Sequence, residues 1–307
     1  MRPMATGGVT IRRATPDDAE ACHGVLWSSA TDFGKRNGSP LAGTAADWWA
    51  NSEPIHRFLA GHAAEWWVAE DQEAGDLVGY ARSIERDGLF ELTEFFVVPD
   101  RQSAGVGGEL LDRAFPPGRG DIRSIIATTD VRALARYYRT GMVPRFPLLT
   151  FEGAAVVAGD QPGGPTSRAV EPDSPEDLAA IREIERTVLE SARGDAELRW
   201  LLGSREGYLY TRNRAPVGFS FVGRDGSGPI AALDADDLPA ILLHVEGRAA
   251  ALGRERIEFE VPGPNEVAAR HLLGRGYRLD PWVNVLMSNR PFGRFDRVTT
   301  FSPPLFL

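Results

Sequence analysis

The stretch from Leu89 to Pro117 leaves the chain few folds to choose from. Leu89-Phe90-Glu91-Leu92-Thr93-Glu94-Phe95-Phe96-Val97-Val98-Pro99 is dense in aromatic and β-branched residues and stops at a proline, which is the composition of a buried strand. Asp100-Arg101-Gln102-Ser103-Ala104-Gly105-Val106-Gly107-Gly108 follows directly. Glu109–Phe115 then has helical spacing and ends at Pro116-Pro117. The first turn of such a helix has backbone N–H groups without partners, and the helix dipole adds partial positive charge there. Glycines let a phosphate approach that turn. Gly105, Gly107 and Gly108 bracket it here, and Arg101 offers a cation. A Gly-x-Gly at a helix start is also an ordinary tight turn, so the loop alone does not decide. No Gly-Lys-Ser/Thr follows, which excludes a P-loop. Leu110 stands where a dinucleotide fingerprint needs its third small residue.

Around this segment the first half reads as strand Val9–Arg13 and a helix start at Thr15-Pro16-Asp17-Asp18. A helical region over Thr31–Ala64 and a hairpin, Trp66–Glu70 with Leu77–Ala81, come next. After the Gly107–Phe115 helix follow strand Arg123–Thr129, helix Val131–Thr140 and strand Val143–Glu152. Mixed strands with crossover helices indicate an α/β fold, a central mixed sheet flanked by helices.

With 307 residues the chain is long enough for two domains. Gly159-Asp160-Gln161-Pro162-Gly163-Gly164-Pro165-Thr166-Ser167 has little to bury and reads as a linker, spanning 156–168. It separates residues 1–155 from 169–307. The halves repeat each other in order. Ser174-Pro175-Glu176-Asp177 answers to the Thr15 helix start, and Tyr208–Thr211 with Pro216–Ser220 answers to the hairpin. Asn265…Ala268…Gly276-Tyr277 answers to Asp130…Ala133…Gly141-Met142. The expectation is two tandem domains of one fold.

Bulk properties narrow the function. A formal net charge of -9 disfavours nucleic acid and anionic membrane as partners. No apolar stretch reaches the roughly 18 residues of a membrane helix, and Met1–Val9 lacks the pattern of a signal peptide. Cys22 is the only cysteine, which suits a reducing cytoplasm and a small core residue. No metal-ligand spacing links His23, His56, His62, His244 and His271.

Taken in order, the motifs resemble those of the GCN5-related N-acetyltransferases (GNAT). Gln102-Ser103-Ala104-Gly105-Val106-Gly107 is similar to the family's Gln/Arg-x-x-Gly-x-Gly/Ala loop. Phe95–Pro99 resembles its fourth strand, and Ile11–Asp18 its first strand and helix start. Asp130…Ala133…Tyr137…Gly141 resembles its Asn-x-x-Ala-x-x-x-Tyr-x-x-x-Gly signature, with Asp for Asn. The match spans most of residues 9–152, and the second half looks like a divergent copy. The resemblance implies that Gln102, Ser103, Ala104, Gly105, Val106, Gly107 and Gly108 cradle the pyrophosphate of acetyl-CoA. Ser103 departs from the family's usual glycine. It implies too that Phe96, Val97 and Val98 pair with the pantetheine arm and polarise the acyl carbonyl. Tyr137 then protonates the departing thiolate. Asp130 takes the place of a pantetheine-contacting Asn, a contact its carboxylate leaves open.

A base must take the proton of the attacking amine. Glu91 and Glu94 lie an odd number of residues apart on one strand, so alternation sends them to opposite faces and only one to the cleft. Glu91 has the spacing from Gln102 that the family's histone acetyltransferases use, and a water relay is the alternative. The acceptor is expected near Phe33–His62, with Trp48, Trp49, His56 and Phe58. The second half lacks this equipment: Leu233-Asp234-Ala235-Asp236-Asp237-Leu238-Pro239 has three acids and no glycine, and Leu272 replaces the tyrosine. The implied function is acetyl-CoA-dependent N-acetylation of a primary amine on a small molecule or peptide, by direct attack in a ternary complex, in a cytoplasmic monomer or homodimer. A CoA-binding sensor without turnover, and an O-acyl or longer-chain acyl transferase, are the alternatives.

Overall fold

The computed structural model describes residues 8–102, 105–157, 163–301 and 307. By proximity along the backbone the chain falls into two units. The first holds residues up to Glu85, Leu89–Ile125 and Asp130–Met142. The second holds Arg86–Gly88, Ile126–Thr129 and Val143–Leu307.

In the first unit β1 (Val9–Arg13) leads through a 3-10 turn opened by Pro16 into α1 (Ala19–Arg36). The turn has a capping box on Thr15 and Asp18, the start foreseen from Thr15-Pro16. α2 (Ala45–His62) is capped by Thr44. β2 (Glu65–Asp71), β3 (Leu77–Arg86), β4 (Leu89–Val97), α3 (Val106–Ala114), β5 (Ile122–Thr128) and α4 (Val131–Arg139) follow. The strands stand in chain order, antiparallel from β1 to β2 and β2 to β3, parallel from β4 to β5. α1 buries Ala19, Cys22, Val25 and Leu26 against Trp66, Val68 and Tyr80 of the sheet.

The long span of the second unit begins with β6 (Val143–Ala154). β7 (Thr166–Ala169), α5 (Pro175–Leu189), α6 (Asp195–Ser204), β8 (Arg205–Arg212), β9 (Ala215–Gly223), β10 (Ser227–Ala232) and α7 (Leu238–Ala251) follow. β11 (Arg256–Pro262), α8 (Glu266–Gly274), β12 (Arg278–Ser288) and β13 (Val298–Thr299) complete it. β6 runs antiparallel to both β11 and β12 and lies between them. A strand that precedes the linker in sequence is thus paired on both edges by strands that follow it. The remaining strands form a sheet ordered β13-β10-β9-β8-β7. α7 and α8 close the core over Phe151, Phe259 and Val261, and Leu272, at the position matching Tyr137, is one of its buried residues. The mixed α/β architecture expected from the sequence is present in both units.

Candidate active site

β4 is paired with β5 along only part of its length. The parallel register joins Leu89, Phe90, Glu91 and Leu92 to Ile122, Arg123, Ser124 and Ile125, and does not continue along Thr93–Val97. At the end of β4 the Val98 N–H donates to the Val78 carbonyl of β3 at 2.9 Å. Successive backbone groups of a strand point to alternate edges, so the Val97 N–H and C=O point away from β3, into the opening. The Val97 carbonyl already accepts from Gln102 Nε2 at 2.9 Å and from Ser29 Oγ of α1 at 3.0 Å. Of the three residues expected to meet a pantetheine arm, Val98 spends its N–H on β3, Val97 keeps an N–H aimed at the gap, and Phe96 packs beside Tyr80.

The loop brings a helix start to the same place. Gly105 is the N-cap of α3, with φ of 89° that favours glycine, and among the described residues no side chain caps the helix. The Gly108 and Glu109 N–H groups donate back to the Gly105 carbonyl, while Val106 and Gly107 come too early in the helix for an intrahelical acceptor. A Cβ on Gly107 would lie 3.2 Å from Phe95 Cζ and 3.5 Å from Arg136 Cζ. One on Gly108 would lie 3.8 Å from an Arg136 nitrogen. Glycine at 107 thus lets the helix start close on β4, and the Arg136 guanidinium of α4 stands over that turn. Ser103 and Ala104 lie outside the described residues. Arg101 turns elsewhere and pairs with Asp71, while Gln102 acts through the latch on Val97. Arg136 is the cation sequence reasoning missed. Its signal was its place one residue before Tyr137, which carries information only once α4 is seated against α3.

α4 carries the other two expected residues. Asp130 is its N-cap and accepts from the Arg132 N–H at 2.9 Å. Its carboxylate also pairs with Arg36 of α1 and with the Arg132 side chain, each at 2.8 Å. Burial alone would raise its pKa, and the two arginines override that and hold it well below the usual carboxylate range. Where the family's Asn would face a ligand, Asp130 ties α1 to α4. Tyr137 is 5% exposed, with its ring edge-on to Phe95 at 6.1 Å between centroids. Burial, and then the Asp130 charge, push its phenol pKa up, so it stays protonated at any physiological pH.

Neither glutamate has the placement that alternation foresaw. Phe90 stacks on Phe115, the C-cap of α3, and Phe95 packs at Gly107 in its first turn. Two residues five apart thus face one helix, which a regular strand forbids, so the period of two is broken between them, as a β-bulge does. Parity therefore does not send Glu91 and Glu94 to opposite faces. Glu91 is buried in the paired part of β4, opposite Ser124. Glu94 is buried under α2. Its Oε1 accepts from Tyr80 OH at 2.9 Å and lies 3.1 Å from His56 Nδ1, and Arg82 grips its other oxygen. Burial raises its pKa, but Arg82 and His56 more than reverse that and bring it down to about 2. His56 groups with the buried His23 and the half-buried Trp49, at centroid distances of 5.2 and 5.9 Å. Trp48 stands apart, 37% exposed and tilted against Trp27. Among the described residues no group of His, Cys, Asp or Glu is placed to hold a metal ion, and no helix is long and apolar enough to cross a membrane.

Residues 62–141, which hold β4, the loop, α3, β5 and α4, match the acetyltransferase (GNAT) domain family. This part of the chain is similar to a GNAT acetyltransferase domain. Solved structures extend the likeness over the whole chain. A putative acetyltransferase from Pyrococcus horikoshii matches with a TM-score of 0.73 and 17% identity, over 97% of this chain and 95% of its own. A GCN5-related N-acetyltransferase from Sphaerobacter thermophilus gives 0.59 and 16%, over 92% and 96%. A tandem GNAT protein from the clavulanic acid biosynthesis pathway gives 0.54 and 16%, over 92% and 99%. At these identities the fold is what is shared, and it is the fold of a tandem GNAT protein. Curated proteins give no match. GNAT proteins are in general acyltransferases, and the family implies an acyl-CoA co-substrate. The residues present suit one: a bare helix start that a Cβ at 107 would crowd, with Arg136 above it, beside a strand whose edge is open.

Proposed function

We propose that the first GNAT domain transfers an acetyl group from acetyl-CoA to a primary amine. The observation that carries this reading is the meeting of the open β4 edge with the uncapped, glycine-lined start of α3. One offers backbone groups to an extended amide-bearing arm, the other offers N–H groups to a diphosphate, and Arg136 adds charge. In this reading the Val97 N–H lies beside the acyl carbonyl and stabilises negative charge on its oxygen as the amine attacks. The C–S bond breaks, the new C–N bond forms, and Tyr137 gives the leaving thiolate its proton. The amine's own proton leaves through water, because Glu94 is held by three side chains and Glu91 lies below the opening. The acidic balance of the chain favours a cationic acceptor over an anionic one.

The test is a panel of primary amines, small and peptidic, scored by release of free CoA thiol. The reading expects at least one amine to raise release well above hydrolysis, and Tyr137→Phe to cut kcat at least about tenfold with acetyl-CoA affinity kept. The engagement of Asp130 by Arg36 and Arg132 favours one second reading, a CoA-binding sensor. Tight binding with no amine-dependent release would select it.

A further inference from the structure

In the second half β10, α7, β11 and α8 answer to β4, α3, β5 and α4. Two equivalent bonds fix the register: Val98 N–H donates to the Val78 carbonyl at 2.9 Å, and Leu233 N–H to the Val217 carbonyl at 2.7 Å. Ile230 and Ala231 therefore stand where Phe95 and Phe96 stand. Asn265, the N-cap of α8, stands where Asp130 caps α4.

Unlike β4 and β5, the strands β10 and β11 are not hydrogen-bonded neighbours, and the segment Val298–Thr300 runs between them. Ile230 and Ala231 pair antiparallel with Thr299 and Val298. On the other side Thr300 bridges to Glu260, its N–H donating to the Glu260 carbonyl at 2.9 Å. The fully buried Asn265 side chain donates from Nδ2 to the Val298 carbonyl at 2.8 Å, while its Oδ1 accepts from the Ala268 N–H at 3.0 Å. A Cβ on Gly228 would collide with the Thr300 carbonyl, so glycine there is what admits the segment. Val298, Thr299, Thr300 and Phe301 are all buried.

We propose that Val298–Phe301 is the resident occupant of the second copy's co-substrate slot, which the chain thereby closes to acyl-CoA with its own backbone. The inference rests on reading the β4–β5 opening as the co-substrate slot, and goes further by assigning the matching slot its occupant. An extended peptide and a pantetheine arm offer a sheet edge the same thing, amide N–H and C=O groups along an extended chain. The strand satisfies the edge of β10, the edge of β11 and the amide of the α8 N-cap. Those are the groups whose first-copy counterparts surround an opening. Asp237 is paired with Arg212, and Asp234 and Asp236 at the same turn add negative charge where a diphosphate would have to sit.

Hydrogen exchange on the full-length protein, with and without saturating acetyl-CoA, tests the closure beside a calorimetric count of sites. The Thr300 amide is expected to exchange at least roughly a thousandfold slower than in an unstructured peptide. Acetyl-CoA should leave it unchanged while slowing amides along Thr93–Val97. Asn265→Ala should speed Thr300 exchange roughly tenfold without changing acetyl-CoA affinity. Unprotected Thr300, Thr300 exchange accelerated by acetyl-CoA, or two acetyl-CoA per chain would each overturn the closure. A protected Thr300 with no acetyl-CoA bound anywhere would uphold the closure and defeat the acetyltransferase reading.

Discussion

At Glu94 the donors Tyr80 and Arg82, with His56 beside them, converge on a carboxylate that is 2% exposed, and the same packing buries His23. Burial, and then the neighbouring His56, bring the His23 imidazole down to about 4, and its Nε2 has no hydrogen-bond partner among the described residues. The unfolded chain, with an ordinary value near 6.5, takes up a proton in this interval that the folded chain refuses. Stability present above pH ~6.5 is therefore lost as pH falls toward 4, and Glu94 extends the loss from its unfolded value near 4.5 down to about 2. Urea midpoints at pH 7 and 4.5 should show the first loss, and His23→Phe should remove at least ~1 kcal/mol of it. An unchanged pH slope in the variant would contradict the assignment. At Arg136 the expected outcome is selective: Arg136→Gln weakens acetyl-CoA binding roughly tenfold, the scale of one charge-assisted hydrogen bond, and leaves S-acetyl-pantetheine binding unchanged. Equal losses for both ligands would make Arg136 a packing residue only.

Element by element, much was legible. Thr15-Pro16, the aromatic run of β4, the glycines before α3 and Gly141 after α4 are local signals, and local chemistry decides where such elements start and stop. What the sequence did not disclose depends on partners far along the chain. The broken alternation in β4 shows only through Phe90 and Phe95 facing α3. The rerouting of Arg101 to Asp71, and of Asp130 to Arg36, comes from residues 30 or more positions away. β13 hides in a short stretch that acquires meaning only between β10 and β11. α3 offers a test of spacing within one element. Gly107→Ala places a Cβ 3.2 Å from Phe95 Cζ, whereas Gly108→Ala meets nothing closer than 3.8 Å. The first should weaken acetyl-CoA binding several-fold and the second about as little as a helix-favouring substitution does. Equal effects in titration would mean that closeness of α3 to β4 does not set the site.

Over the whole molecule, duplication explains why so much of the chain mirrors itself, while the glycine-lined helix start is found in the first copy and not at the matching start of α7. The linker divides the sequence into halves of similar length, yet the units do not follow it, because β6 is paired on both edges by β11 and β12. A strand held that way cannot be read from composition, which reports what a segment buries and not which strands bury it. The same symmetry makes the two slots a natural experiment, one beside an uncapped glycine-lined helix start and one filled by Val298–Phe301. The central claim is a single acetyl-CoA site in the first copy, and calorimetric titration of the full chain and of Gly107→Glu tests it most directly. One site per chain in the wild type, lost in the variant, is the predicted result. Two sites, or a site that survives the glutamate, would contradict it.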